Sequence, residues 1–112
     1  MLNNIAWLSR KTDPKRALEL AEKANSLKPD DAEIADTLGS LLLEQGANAR
    51  GLELLQKAFQ LAPDSPNIHY HYAAALAKSG QKEKARRELE RLLESKKSFS
   101  QEADARSLLE QL

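Results

Sequence analysis

The chain has 112 residues, enough for one small domain, with 41% hydrophobic residues, 30% charged residues and a net charge of zero. That balance excludes a disordered tail and argues against a general binder of nucleic acid or anionic membranes, which needs a basic excess. The absence of cysteine excludes disulfides and thiolate metal sites, and no apolar run is long enough to cross a membrane.

Apolar residues recur at helical spacing throughout the chain. Residues 2–10 predict a first helix with Leu2, Ile5, Ala6 and Leu8 on one side. Asp13 can cap the next helix and Pro14 suits its first position. That helix covers 14–28, with Ala17, Leu18, Leu20, Ala21, Ala24 and Leu27 on its apolar stripe. Asp31 is the N-cap expected for a helix over 32–45, carrying Ile34, Ala35, Leu38, Leu41 and Leu42. Gly46 suits the left-handed residue that closes a helix. Residues 48–61 follow, with Leu52, Leu54, Leu55, Ala58, Phe59 and Leu61. Ser65 and Pro66 then open a helix over 66–79 with Ile68, His69, Tyr72, Ala73, Ala75 and Leu76, and Gly80 closes it. Residues 82–96 carry Ala85, Leu89, Leu92 and Leu93. A last helix over 101–112 is capped by Ser98, in capping-box spacing with Gln101, or by Ser100. No strand-like alternation occurs.

The chain repeats itself at an offset of 34 residues. Ala24 meets Ala58, Leu27 meets Leu61, Pro29 meets Pro63, Leu42 meets Leu76 and Gly46 meets Gly80. Ala17, Gly51 and Ala85 fall in one register. These small residues stand early in each second helix, where it passes closest to its partner and a large side chain would force the two apart.

A helix–turn–helix of this period, with Leu38-Gly39, Gly51, Ala58 and Pro63 at its marked positions, resembles the tetratricopeptide repeat family. The resemblance covers nearly the whole chain. Tyr72-Ala73, Gly80, Ala85 and Leu89 repeat the pattern, although Lys97 stands where the closing proline would be. The first unit keeps Ala17, Ala24 and Pro29 but starts late, and its turn is one residue short. The resemblance implies an all-α fold, an α-α superhelix or solenoid of about three repeats with a C-terminal capping helix. The expected boundaries are about 1–29, truncated at its N-terminal side, about 30–63, about 64–97, and a cap over about 100–112. The cap's other face, with Gln101, Asp104, Ser107 and Gln111, is polar, as a solvating helix requires. A chain cut from a longer array is expected, with a natural short protein carrying a worn first repeat as the alternative. More narrowly, Asn3-Asn4-Ile5-Ala6-Trp7-Leu8 and Asp36-Thr37-Leu38-Gly39 resemble the C-terminal repeats of long bacterial proteins of this family linked to exopolysaccharide export and envelope systems. The N-terminus lacks the charged and apolar regions of a signal peptide, so cytoplasm and periplasm both stay open.

No catalytic constellation, cofactor motif or metal site is legible. No Gly-x-Ser-x-Gly, P-loop or Gly-x-Gly-x-x-Gly occurs. His69 and His71 are the two histidines, and a two-residue offset turns them about 200° apart on a helix, so they cannot share a metal. His69 is expected to be wedged between repeats and His71 to be a solvated surface residue. The run from Lys82 to Glu88 interleaves both signs and reads as an ordinary exposed face. Glu83 with Arg87, and Glu90, Arg91 and Glu94, read as a solvated network on the same helix.

The resemblance places function on the concave side, which the first helix of each repeat lines. The implied groove residues are Asn3, Asn4 and Trp7 from the first unit. The second contributes Glu33, Asp36, Thr37, Ser40 and Glu44, and the third Asn67, Tyr70, His71, Ala74 and Lys78. Trp7 and Tyr70 are the candidate anchors, because aromatic side chains dominate interface energy. Trp7 could instead pack against an upstream repeat, and Tyr70 could touch Leu43 or Trp7. The carboxylate clamp of chaperone-binding members uses Lys, Arg and Asn where this chain has Asn3, Trp7, Thr37, Asn67 and His71, so two amides are present but no Lys or Arg, and such a clamp is not expected. A basic or amphipathic helical partner fits the acidic Glu33, Asp36 and Glu44 better. The expected function is a non-catalytic protein-interaction scaffold. The alternatives are a self-association module using Ile5, Ala6 and Leu8, or a regulatory fragment of a larger enzyme.

Overall fold

The computed structural model describes residues 2–95 and 99–112, with side chains from Ile5 onward in the first helix. Among the described residues there are seven helices and no strand. They are α1 (Leu2–Ser9), α2 (Pro14–Leu27), α3 (Ala32–Glu44), α4 (Asn48–Leu61), α5 (Pro66–Lys78), α6 (Lys82–Glu94) and α7 (Glu102–Gln111). The all-α superhelical architecture expected from the sequence is the one observed. No described helix is long and apolar enough to cross a membrane.

Local chemistry punctuates the helices. The Asp13 carboxylate accepts from the Arg16 amide at 3.1 Å, and that of Asp31 from the Ile34 amide at 3.1 Å. The Ser65 hydroxyl accepts from the Ile68 amide at 3.4 Å, and Pro14 and Pro66 occupy early positions where no amide donor is needed. Gly46 and Gly80 take φ of +86° and +87°. The Ala47 amide then reaches back to the Leu42 carbonyl at 2.8 Å, and the Gln81 amide to the Leu76 carbonyl at 2.9 Å. This closing geometry requires a left-handed residue, which glycine adopts without steric cost. The turn after α1 has no glycine and its closing bond spans four residues instead of five: the Asp13 amide returns to the Ser9 carbonyl at 2.8 Å. The last helix differs from expectation: Gln101 is its N-cap residue without a side-chain cap bond, and the Ser100 hydroxyl instead bonds Asn67. The expected cap Ser98 lies outside the described residues.

Helices α1 and α2, α3 and α4, and α5 and α6 form successive antiparallel pairs. In the central pair the backbones nearly touch. A Cβ on Gly51 would lie 2.9 Å from the Gly39 carbonyl oxygen, and one on Gly39 would lie 2.8 Å from Cγ of Leu55. The register of Ala17, Gly51 and Ala85 therefore marks real close approach, and Ala17 and Ala85 are fully buried. The core passes from pair to pair. Ala6, Ala17, Ala21, Leu38, Leu41 and Leu42 bind α1, α2 and α3 together. Leu43, Leu55, Tyr72, Ala75, Leu76 and Ala85 continue it through α6. Ala73, Leu89 and Ala105 then seat α7, with Phe99, Leu108, Leu109 and Leu112 packed around them. A backbone tie from the Arg86 guanidinium to the Leu112 carbonyl holds the far end of α7.

Three expectations about exposure are corrected. Ala6 is buried, whereas Ile5 and Leu8 are 50% and 78% exposed, because the described structure places no helix against that side of α1. Leu27 and Leu61 lie at the last positions of α2 and α4, beyond the packed stretch, and are 67% and 42% exposed. Glu88 is not part of an exposed charged face: its residue is buried, and Arg91 reaches its carboxylate at 3.4 Å.

Candidate functional site

Helices α1, α3 and α5 are the first members of their pairs. Residues spaced three or four apart on them share one face. That face encloses a hollow of about 530 Å³. From α1 it takes Trp7; from α3, Glu33, Asp36, Thr37 and Ser40; from α5 and its cap, Ser65, Asn67, Ile68 and His71. Ser100 and Gln101, just ahead of α7, complete the lining. The surface is mixed: hydroxyls and amides dominate, with two carboxylates, one imidazole, one indole and one aliphatic side chain.

A single ion pair crosses this floor. The Nδ1 atom of His71 lies 2.8 Å from Oδ1 of Asp36, linking α5 to α3. Burial disfavours the imidazolium. The hydrogen bond and charge of Asp36, helped by a hydrogen bond to Gln101, outweigh that and raise the His71 pKa above the ordinary histidine value. His71 was expected to be solvated; its side chain is 22% exposed, because Asp36 and Gln101 hold it down.

At the rim, the Arg10 guanidinium lies 3.8 Å from the centroid of the Trp7 ring and donates to the Trp7 carbonyl at 2.8 Å. Its Nε is 3.6 Å from the Glu44 carboxylate. Arg10 thus joins a cation–π contact to an ion pair across two helices.

Of the sequence-derived groove residues, Trp7, Glu33, Asp36, Thr37, Ser40, Asn67 and His71 come together around the hollow. Glu44, Tyr70, Ala74 and Lys78 lie outside its lining. Glu44 pairs with Arg10, and Lys78 donates to the Leu43 carbonyl at 2.9 Å. Tyr70 packs on the Ala73, Leu89 and Ala105 cluster. Burial and the nearby Asp104 charge raise its pKa. The side chains of Asn3 and Asn4 lie outside the described residues. Sequence reasoning missed Ser65, Ile68, Ser100 and Gln101. Ser65 was read only as a cap. Gln101 was read as solvent-facing, although it stands 34 residues beyond Asn67, itself 34 beyond Glu33.

The other histidine faces away from the hollow. His69 Nε2 lies 2.8 Å from Oε1 of Glu88, and its ring stacks on Phe59 at 4.5 Å between centroids. The two histidines therefore serve different helices, and among the described residues no cluster of three or more His, Asp or Glu side chains could hold a metal.

Comparison with known proteins gives the following. The family model described as Tetratricopeptide repeat matches residues 42–112. No curated protein matches the chain. Among solved structures, a crystal structure of MamA superposes with a TM-score of 0.74 at 21% identity, covering 83% of this chain and 55% of its own. The MamA RS-1 ArsTM double mutant gives 0.78 at 25% identity, covering 96% and 60%. A mutant O-GlcNAc transferase from Thermobaculum terrenum gives 0.76 at 29% identity, covering 83% of this chain and 18% of its own. The chain thus spans little more than half of either MamA chain and under a fifth of the transferase.

Proposed function

The chain belongs to the tetratricopeptide repeat family, and from that premise we propose that it is a non-catalytic scaffold holding a peptide or partner helix on its concave side. The observation that carries this reading is the hollow of about 530 Å³ between α1, α3 and α5, lined by hydrogen-bonding side chains held on rigid helices. Repeat proteins present such concave surfaces because each pair of helices rotates slightly against the next. A basic or amphipathic segment suits the lining. Glu33 is exposed on it, and Trp7 offers an aromatic surface beside it. The division into three repeats and a cap is part of the proposal, as is origin from a longer bacterial array.

The test is to fill the hollow. Ser40→Arg and Asn67→Arg place long side chains on half-buried or exposed positions without opening the core. Circular dichroism should show unchanged helicity, and recovery of binding partners on the immobilised protein should fall at least tenfold. Undiminished recovery by a folded double variant would sink the concave-face reading.

A second reading, as the repeat portion of a larger enzyme, is supported by the likeness to part of a transferase chain. The full reading frame around the chain decides it, since a neighbouring catalytic domain must then be encoded. Self-association rests on the smaller exposed surface of Ile5 and Leu8. Light scattering that shows a monomer at high concentration would exclude it.

A further inference from the structure

We propose that the hollow receives an arginine side chain of the partner, that Asp36 is its counter-ion, and that His71 competes with it for that carboxylate, so that binding expels a proton. The inference rests on the concave-face reading above and adds the chemistry of the ligand and its control by pH.

Three observations carry it. First, Asp36 is not a free surface acid. Its side chain is 17% exposed, and its Oδ1 is already taken by His71 at 2.8 Å. A partner's cation must share or displace that bond. Second, the charge of the lining depends on one group. Glu33 and Asp36 contribute two negative charges and protonated His71 cancels one; neutral His71 leaves both. Third, the chain itself shows how a guanidinium is held here. Arg10 lies 3.8 Å from the centroid of the Trp7 ring and 3.6 Å from a carboxylate of the neighbouring helix. Trp7 also lines the hollow, where Thr37, Ser40 and Asn67 supply oxygen acceptors. A planar group with five N–H donors uses such a mixed set better than a compact ammonium.

The other groups around His71 do not replace it as the switch. From α3 it faces Asp36, with Glu33 further along the same lining. On its own helix it meets Tyr70, with ring centroids 5.9 Å apart, whose raised pKa keeps it neutral. From the start of α7 it meets the uncharged Gln101, with Asp104 acting on Tyr70 instead. Just after α1, Arg10 is engaged by Trp7 and Glu44. Of the side chains that line the hollow, the imidazole is the one whose ordinary range of proton exchange falls between about pH 5.5 and 8, so it is the group that changes.

The test uses the whole chain and Nα-acetyl-arginine amide as the probe. Nα-acetyl-glutamate amide and Nα-acetyl-norleucine amide serve as comparisons. The chain has one tryptophan, so Trp7 fluorescence reports directly on the hollow, and NMR follows the His71 ring. The arginine probe should perturb Trp7 and the Ser40 amide, and the comparisons should not. Its affinity should be highest where His71 is neutral and fall by up to about tenfold per pH unit below the His71 pKa. By reciprocity, saturating probe must lower the His71 pKa in the unmodified protein, which needs no variant to fold. His71→Gln should flatten the pH dependence of binding, and Asp36→Asn should weaken binding at every pH. An affinity independent of pH, a His71 pKa unmoved by the arginine probe, or equal binding of the glutamate probe would overturn the inference. A norleucine or glutamate probe that shifts the hollow's resonances would overturn it too, while leaving the concave-face reading intact. That reading falls separately, on the hollow-filling variants.

Discussion

At the residue scale, α5 is held by two histidines that look in different directions. His69 is 8% exposed and its partner Glu88 is 9% exposed, so each completes the other's hydrogen bonding in a nearly dry setting. Removing one partner leaves a buried polar group unsatisfied, which costs about 1–3 kcal/mol. Glu88→Ala should therefore lower the stability measured by urea unfolding by that amount. Glu88→Gln, which retains an acceptor for His69, should cost less than half as much. His71 predicts a different signature. Its folded-state pKa is raised, so the native state binds the proton more tightly than the unfolded chain does. The stabilisation is fully present below the unfolded value of roughly 6.5 and is lost as pH rises through the folded value. Unfolding midpoints measured from pH 5.5 to 8 should show a fall in that window, and His71→Gln should remove it.

At the element scale, the close crossing of α3 and α4 is a tight constraint on the fold. With a Cβ on Gly51 only 2.9 Å from the Gly39 carbonyl, alanine requires the two backbones to part. Gly51→Ala should destabilise the protein by about 1–3 kcal/mol through overpacking, outweighing the usual helix-propensity gain of about 1 kcal/mol. The same change at Gly46 has space but not conformation: nothing lies within 4 Å, yet φ is +86°. There the penalty comes from the left-handed backbone, about 1 kcal/mol. Thermal unfolding of the two variants separates a packing cause from a torsional one.

On the scale of the whole molecule, the stack is stabilised by neighbours rather than by one central core. Each buried cluster is shared between adjacent pairs, and the last is closed by α7 over Ala73 and Leu89. A chain ending at residue 95 would expose that face and remove Ser100 and Gln101 from the hollow. We expect it to unfold at a lower temperature, to bind a hydrophobic dye, and to lose the pull of Gln101 on the His71 pKa. An unchanged melting temperature would show that α7 is dispensable to the stack. Longer-range ties such as Arg50 to Glu22, at 2.5 and 2.7 Å, lie at the surface and add little, because solvent screens them.

What the sequence determined by itself is the punctuation and the period. Asp13, Asp31 and Ser65 cap within three residues of themselves, and Gly46 and Gly80 close helices through bonds spanning five. Such interactions are local, so residue type and spacing are enough to read them, and a 34-residue repetition then implies stacked helical pairs. The lining of the hollow was partly legible for the same reason: Trp7, Asp36, Thr37, Ser40, Asn67 and His71 fall by helical spacing on the sides of α1, α3 and α5 that meet there. What only the tertiary structure decided is which polar residues cease to be surface. Glu88 sits in a run of alternating charges and looks solvated, yet α5 lies across it and buries it against His69. His71 and Asp36 are 35 residues apart, and nothing within one helix indicates that they meet. Gln101 reads as solvent-facing until the seating of α7 brings it into the hollow. Those outcomes depend on how one helix crosses the next. A shift of a few ångströms there turns a solvated charge into a buried partner.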